Sequence, residues 1–295
     1  MNYSRFASTQ RLFRFTILIC FFILSISCSD QNQNRKLDEL RIGILPDEGR
    51  EKLLQRYTLL FEYLSAQLGI PYKLVIPKDY QDLLDDFASG QIDLAYFGGF
   101  TFLKAHHQFG AVPLVMRDTD LRFTSYFLVR NNEPLQSIRD FKGKAFSFGS
   151  RLSTSGHLMP RYFLGTKGII PEQFFSSVEY SGKHDITAYR VRDGKVDLGA
   201  ANSKVIDGMF ADGRIDKDSI RVIWETPPFA DYVWALQPDV DKTIRMKITN
   251  AFLALSPDIP EQASILEKVD SGGFVPAAVS DFNELDKVMQ ETITD

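Results

Sequence analysis

The sequence predicts an α/β protein of two related lobes, each built on a mixed, mostly parallel sheet, joined by a two-strand hinge. Three observations carry this prediction. From residue 40 onward, short apolar runs alternate with segments of helical period, the pattern of a sheet covered by helices on both faces. The segment 80–95 (YQDLLDDFASGQIDLA) is matched at 184–199 (HDITAYRVRDGKVDLG) in the same strand–helix–strand setting, which reads as an internal repeat; the general likeness of any two such units is the alternative. Two extended stretches, 123–130 between the copies and 220–236 after the second, read as the crossings that join the lobes.

The chain opens on different material. Arg5, Arg11 and Arg14 form a basic leader without an acid, followed by twelve nearly apolar residues at 15–26 (FTILICFFILSI). A membrane span needs about 20 such residues, so the run fits a signal-peptide core, with an uncleaved anchor as the alternative. Of the two cysteines, Cys20 lies in that core and Cys28 sits where a lipoprotein signal carries its acylated residue, although Ser25 and Leu24 shift the usual leucine by one. Residues 1–27 are therefore expected to be the signal and 28–37 (CSDQNQNRKL) a flexible tether.

Composition excludes several classes. With the three leader arginines gone, 31 basic residues face 38 acidic ones, a net charge of −7. A nucleic-acid binder advertises the opposite sign. Without a thiol beyond Cys28, and with His106 and His107 diverging as helix neighbours, no metal centre or cofactor is expected. The 24 phenylalanines read as core.

The elements follow in order. Residues 41–45 form a strand ending at Pro46, and 51–68 place Leu53, Leu54, Tyr57, Leu60, Phe61, Leu64 and Leu68 on one helical face, stopped by Gly69. A strand is expected at 72–76, a helix at 80–88 and a strand at 92–97. In the repeat, a ring residue (Tyr80, His184) opens the helix; a glycine (Gly90, Gly194) follows ten positions on and an aspartate (Asp93, Asp197) thirteen on. After the second crossing, Ile244, Ile248, Ala251, Phe252 and Leu255 form a helix that returns to the first lobe. The lobes are then discontinuous, 38–124 with 235–295 and 125–234. Their strands' carboxyl ends face one cleft, where ligands bind in such sheets.

The cleft chemistry centres on 149–160 (GSRLSTSGHLMP), after a strand and before a helix. Hydroxyls at Ser153, Thr154 and Ser155, a close approach at Gly156 and free N–H groups at the helix start suit an anion. Plain N-capping is the alternative, though three consecutive hydroxyls exceed what a cap needs. The Gly-Lys-Ser/Thr ending of a nucleotide phosphate loop is missing, and so is the Gly-x-Ser-x-Gly of a nucleophile elbow.

Several of these residues carry a family resemblance. Ser153-Thr154-Ser155-Gly156 with Pro160, His184-Asp185, Thr226-Pro227-Pro228 followed by Asp231-Tyr232, Gly43-Ile44-Leu45-Pro46 and Tyr96-Phe97-Gly98 resemble the phosphate/phosphite/phosphonate-binding proteins of ABC transporters, the PhnD-like family. The resemblance implies a type II periplasmic-binding-protein fold with a small oxyanion between the lobes. It implies contacts from Tyr80, Tyr96, Ser153, Thr154, Ser155, His184, Asp231 and Tyr232. An ionised Asp231 only accepts hydrogen bonds, which favours a ligand bearing a proton over sulfate; a solvated loop acid is the alternative. Where relatives that take aminophosphonates carry a carboxylate, this chain has Lys204, which would repel an amine; a lysine that simply faces solvent is the alternative. The expected protein is a monomeric, lipid-anchored binding protein outside the cytoplasm, not an enzyme, working with an ABC permease. A lipoprotein presenting its ligand to a sensor kinase and, further off, a hydrolase are the alternatives.

Overall fold

The structure, a computed structural model, describes residues 35–293; the signal segment, Cys28 and most of the tether lie outside the described residues. The first sheet is laid down by β1 (Leu40–Ile44), β2 (Tyr72–Val75) and β3 (Leu94–Phe97), parallel to one another and connected by α1 (Arg50–Leu68) and α2 (Tyr80–Ala88). Helix α3 (Gly99–Phe109) leads to β4 (Val112–Arg117), and the chain then crosses to the second sheet.

That sheet contains β5 (Ser125–Arg130), β6 (Ala145–Phe148), β7 (Ser177–Tyr180), β8 (Leu198–Asn202) and β9 (Ile220–Glu225) in the order β7-β6-β8-β5-β9. Between them run α4 (Met159–Thr166), the short α5 (Pro171–Phe174), α6 (His184–Arg192) and α7 (Ser203–Ala211). The chain returns through β10 (Val233–Leu236), α8 (Lys242–Leu253), α9 (Pro260–Lys268), β11 (Phe274–Pro276) and α10 (Asn283–Ile293). The first sheet thereby reads β11-β4-β10-β3-β1-β2.

The antiparallel share is larger than strict β–α alternation predicts. Only β2-β1-β3 and β7-β6-β8 are parallel; β10 runs against β3 and β4, and β5 against β8 and β9. The reason lies in the crossings. A strand that arrives from the other sheet has no preceding crossover helix to turn it parallel. The two crossings pair with each other: Phe123 and Phe229 exchange backbone hydrogen bonds of 2.8 and 2.9 Å, and Asp231 N donates to Asp120 O at 3.0 Å.

The repeat has a structural basis. Asp93 accepts the Arg41 amide at the start of β1 at 2.9 Å, and Asp197 accepts the Ala145 amide at the start of β6, also at 2.9 Å. Each aspartate thus ties its strand to the central parallel neighbour at the end away from the cleft. Gly90 and Gly194 both stand at φ near +70° (70° and 65°), the left-handed turn that ends α2 and α6. One apolar cluster fills the first lobe, with Trp234, Phe61, Phe97 and Phe252 inside it. The second sheet buries both faces: Phe127 and Val129 of β5 pack with Phe146 and Phe148, while Leu128 turns to Val191, Val205 and Ile206.

Candidate functional site

The carboxyl ends of β1, β3, β6 and β8 meet with the starts of α2, α3 and α6. The sequence after β6 cannot continue as strand: Ser153 caps the next turn by accepting the Gly156 amide at 2.9 Å, and Thr154–Leu158 form a wide π-type turn before α4. This turn aims Thr154 and Ser155 across the cleft. Gly156 is required there, because a Cβ would stand 2.8 Å from His184 Cε1 and 2.9 Å from Ser153 Oγ.

All eight residues expected at the site are buried, none more than 3% exposed. Tyr80 and His184, the matched helix starts, face each other from opposite lobes with Tyr80 Oη 3.5 Å from His184 Nε2. Asn202 N donates to His184 Nδ1 at 3.2 Å, so the ring proton of the neutral imidazole sits on Nε2, toward Tyr80. Burial holds the His184 pKa down at about 3, which keeps it neutral at physiological pH. The Tyr80 hydroxyl lies beside Ser153, and burial raises its pKa well above the ordinary phenol value.

Asp231 is not a solvated loop acid. Its Oδ1 accepts the Gly99 amide at the start of α3 at 2.9 Å, while Thr154 Oγ1 accepts the neighbouring Phe100 amide at 3.0 Å. Burial pushes its pKa up to about 7, an effect partly offset by the Gly99 amide and the nearby Thr154 and Ser155 hydroxyls. Its Oδ2, like Ser155 Oγ, is buried without completing a hydrogen bond to the protein. A donor and an acceptor of this kind, both wanting partners, lie in one enclosed place.

Two expected contacts have other duties. Tyr232 Oη donates to Asp47 Oδ2 at 2.7 Å and accepts from Asn202 Nδ2 at 2.8 Å, so its single proton is committed. Tyr96 stacks between Tyr232 and Trp234, ring centroids 5.1 and 4.6 Å away, and its hydroxyl points to Asp120 at 3.5 Å. Beneath them Arg117 forks onto Asp120, with Nη2 to Oδ1 at 2.6 Å, and lies 5.8 and 5.6 Å from the Tyr96 and Tyr232 ring centres. These two tyrosines form the floor under the site.

Lys204 does not enter the cleft. Its Nζ lies 3.3 Å from Asp270 at the seam between lobes, and the side chain is 37% exposed. The repulsion of a ligand amine expected from it therefore does not act there; α7 starts at Ser203 and carries the next side chain outward.

Sequence reasoning missed Asp47 and Asn202. Asp47 is buried after β1, with its pKa pushed up to about 6 by burial and by Glu48. Its carbonyl accepts the His184 amide at 3.0 Å, and Gly49 N donates to Asp185 Oδ2 at 3.1 Å, so the lobes are closed on each other. The signal for Asp47 was only Pro46-Asp47-Glu48-Gly49 at the end of a first strand. Asn202 caps α7 by accepting the Val205 amide at 2.9 Å, a local role that hides its second one.

Among the described residues, no cluster of three metal-ligating side chains occurs, and no helix is long and apolar enough to cross a membrane. Fold and site together define a solute-binding protein that shuts two lobes around a small polar ligand. The chain belongs to the family of ABC transporter, phosphonate, periplasmic substrate-binding proteins, whose model matches residues 42–282. It is 30% identical over 278 residues to a probable ABC transporter phosphite binding protein, PhnD1, of Prochlorococcus marinus, covering 90% of this chain and 93% of that one. It is 25% identical to the phosphate-import protein PhnD of Mycolicibacterium smegmatis, covering 80% of each. The solved structure of Prochlorococcus marinus PhnD1 in complex with methylphosphonate superposes with a TM-score of 0.83 at 28% identity, covering 88% of this chain and 99% of that one. The type II periplasmic-binding-protein fold expected from the sequence is thus the fold observed.

Proposed function

We propose that the protein captures phosphite, phosphate or a small alkylphosphonate as a protonated anion between its lobes and delivers it to an ABC permease. One observation carries the reading: Ser155 Oγ and Asp231 Oδ2 are both buried and both without a protein partner. A protonated P–O–H supplies what each wants, an oxygen for Ser155 and a proton for Asp231. His184 Nε2–H, the Tyr80 hydroxyl and the start of the 154–158 turn add donors for the remaining oxygens. Sulfate carries no proton at neutral pH and would place an oxygen against the ionised Asp231, so its binding requires Asp231 to take up a proton and is rejected as pH rises above about 7. The relatives described as phosphite-binding and phosphate-importing, and the methylphosphonate complex, support the same ligand class.

Binding rather than catalysis is favoured by the geometry around Ser155. His184 Nδ1 accepts a backbone amide and has no carboxylate behind it, so the relay that would activate a serine is missing. We assign Cys28 as the lipid attachment point, which places the protein on a membrane facing the periplasm or exterior as a monomer.

The test is calorimetric titration at pH 8, where Asp231 is ionised, with phosphite, phosphate, methylphosphonate, 2-aminoethylphosphonate and sulfate. The reading expects saturable 1:1 binding to at least one of the first three, weakened in Ser155→Ala, and none to sulfate. A folded protein that binds none of them, or binds sulfate equally well, overturns it.

A further inference from the structure

The loop after β1 is fastened to the second lobe by more than the cleft requires. Glu48 is fully buried, and its Oε1 accepts from Arg214 Nη1 of the second lobe at 2.8 Å while Oε2 lies 2.7 Å from Arg56 on α1. Lys183 Nζ donates to the Glu48 carbonyl at 3.4 Å. On the same seam, Lys52 pairs with Asp212 at 2.7 Å across the lobes. Lys52, Arg56, Asp212 and Arg214 line a groove of about 490 Å³ that runs between α1 and α7.

We infer that Glu48 and Arg214 are a closure latch, a positioning pair that sets how long the lobes stay shut on the ligand without touching it. The inference rests on the ligand-capture reading above only in taking the ligand as the cause of closure. One feature marks a reversible latch rather than a structural ion pair. Each member keeps a partner within its own lobe: Glu48 has Arg56, and Arg214 has Asp212 at 2.9 Å. Opening therefore parts Glu48 from Arg214 without stranding either charge, so the pair favours the closed state without destabilising either lobe. Truncating one member of a buried, hydrogen-bonded charge pair acts on dissociation more than on encounter.

The experiment is stopped-flow tryptophan fluorescence with methylphosphonate on the wild type, Glu48→Gln, Arg214→Gln and the double variant. The latch predicts a dissociation rate raised about tenfold or more in each single variant, an association rate changed by less than about threefold, and a double variant no worse than the worse single one. The melting temperature of ligand-free Arg214→Gln should match the wild type, which a merely structural pair would not allow; Glu48→Gln also takes its partner from Arg56 and is read by its rates alone. Unchanged dissociation, or a loss in Arg214→Gln that tracks a fall in its ligand-free melting temperature, overturns the latch. If the wild type binds no probe, the ligand reading fails and the ligand is no longer the cause of closure; the latch must then hold the lobes shut by itself, which small-angle scattering of the protein decides. There Arg214→Glu, which sets two carboxylates together, must enlarge the radius of gyration; an unchanged radius refutes it.

Discussion

Replacing Asp231 by asparagine changes one atom of the cleft at the place where the account is most exposed. The amide oxygen still accepts the Gly99 N–H that Asp231 Oδ1 accepts at 2.9 Å, so the start of α3 stays in place. The atom that changes is Oδ2, buried and without a protein partner, which becomes an N–H donor. A hydrogen bond from P–O–H to a carboxylate is worth about 1.5–3 kcal/mol. Its loss lowers affinity for methylphosphonate or phosphite by about 10- to 150-fold at pH 7. For sulfate the sign reverses, because an N–H now meets an unprotonated oxygen, and binding should become measurable. Titration calorimetry on wild type and Asp231→Asn with methylphosphonate and sulfate reads both effects. An unchanged methylphosphonate affinity, or a parallel loss for both ligands, refutes the assignment of Asp231 as proton acceptor.

Other outcomes follow from the same geometry. His184→Ala removes the Nε2–H donor opposite Tyr80 and should weaken methylphosphonate binding at least tenfold. Because burial holds the His184 pKa at about 3, the pH dependence of affinity near pH 6.5–7 should come from Asp231 and from the ligand's own proton and should persist in His184→Ala; an inflection that His184→Ala abolishes would contradict a neutral ring. Gly156→Ala drives a methyl into His184 and Ser153 and should abolish binding while circular dichroism remains that of a folded protein; retained binding would mean the turn at 154–158 can yield. Asp231 and Asp47 have pKa values raised to about 7 and about 6, so the folded state holds protons that the unfolded chain releases near pH 3.8. Their contribution to stability is present at acid pH and lost as pH rises through 6 to 7, while the buried neutral His184 contributes with the opposite sign below pH 6.5. The carboxylate effect is therefore read against Asp231→Asn: the stability of the ligand-free wild type relative to this variant should be greater at pH 5 than at pH 8. A difference that does not change with pH would mean that the ligand-free lobes open far enough to hydrate Asp231.

The sequence exposed those parts of the site that announce themselves locally. Ser153-Thr154-Ser155-Gly156 follows a strand and precedes a helix, and that order alone implies a turn whose hydroxyls and N–H groups face outward from the sheet. The repeat brought Tyr80 and His184 to equivalent helix starts before any contact between them was known, and the two meet at 3.5 Å. The aspartates of that repeat, by contrast, lie at the far end of each sheet, where they bind the Arg41 and Ala145 amides. Asp47 and Glu48 were invisible because their partners, His184, Tyr232 and Arg214, are more than a hundred residues away and meet them only when the lobes close. Tyr96 and Tyr232 were legible as cleft residues but not as its floor, since no sequence pattern reveals that Arg117 lies beside both rings. The antiparallel strands escaped because β5 and β10 arrive through the crossings, and periodicity does not record direction.

The crystal structure of the protein soaked with methylphosphonate tests the central claim most directly. The account predicts one ligand between the lobes, with an oxygen within hydrogen-bond reach of Ser155 Oγ and of His184 Nε2, and a second oxygen about 2.5–2.7 Å from Asp231 Oδ2, the spacing of a proton shared with a carboxylate. A ligand whose carbon faces Asp231, or one bound outside the cleft, would contradict it.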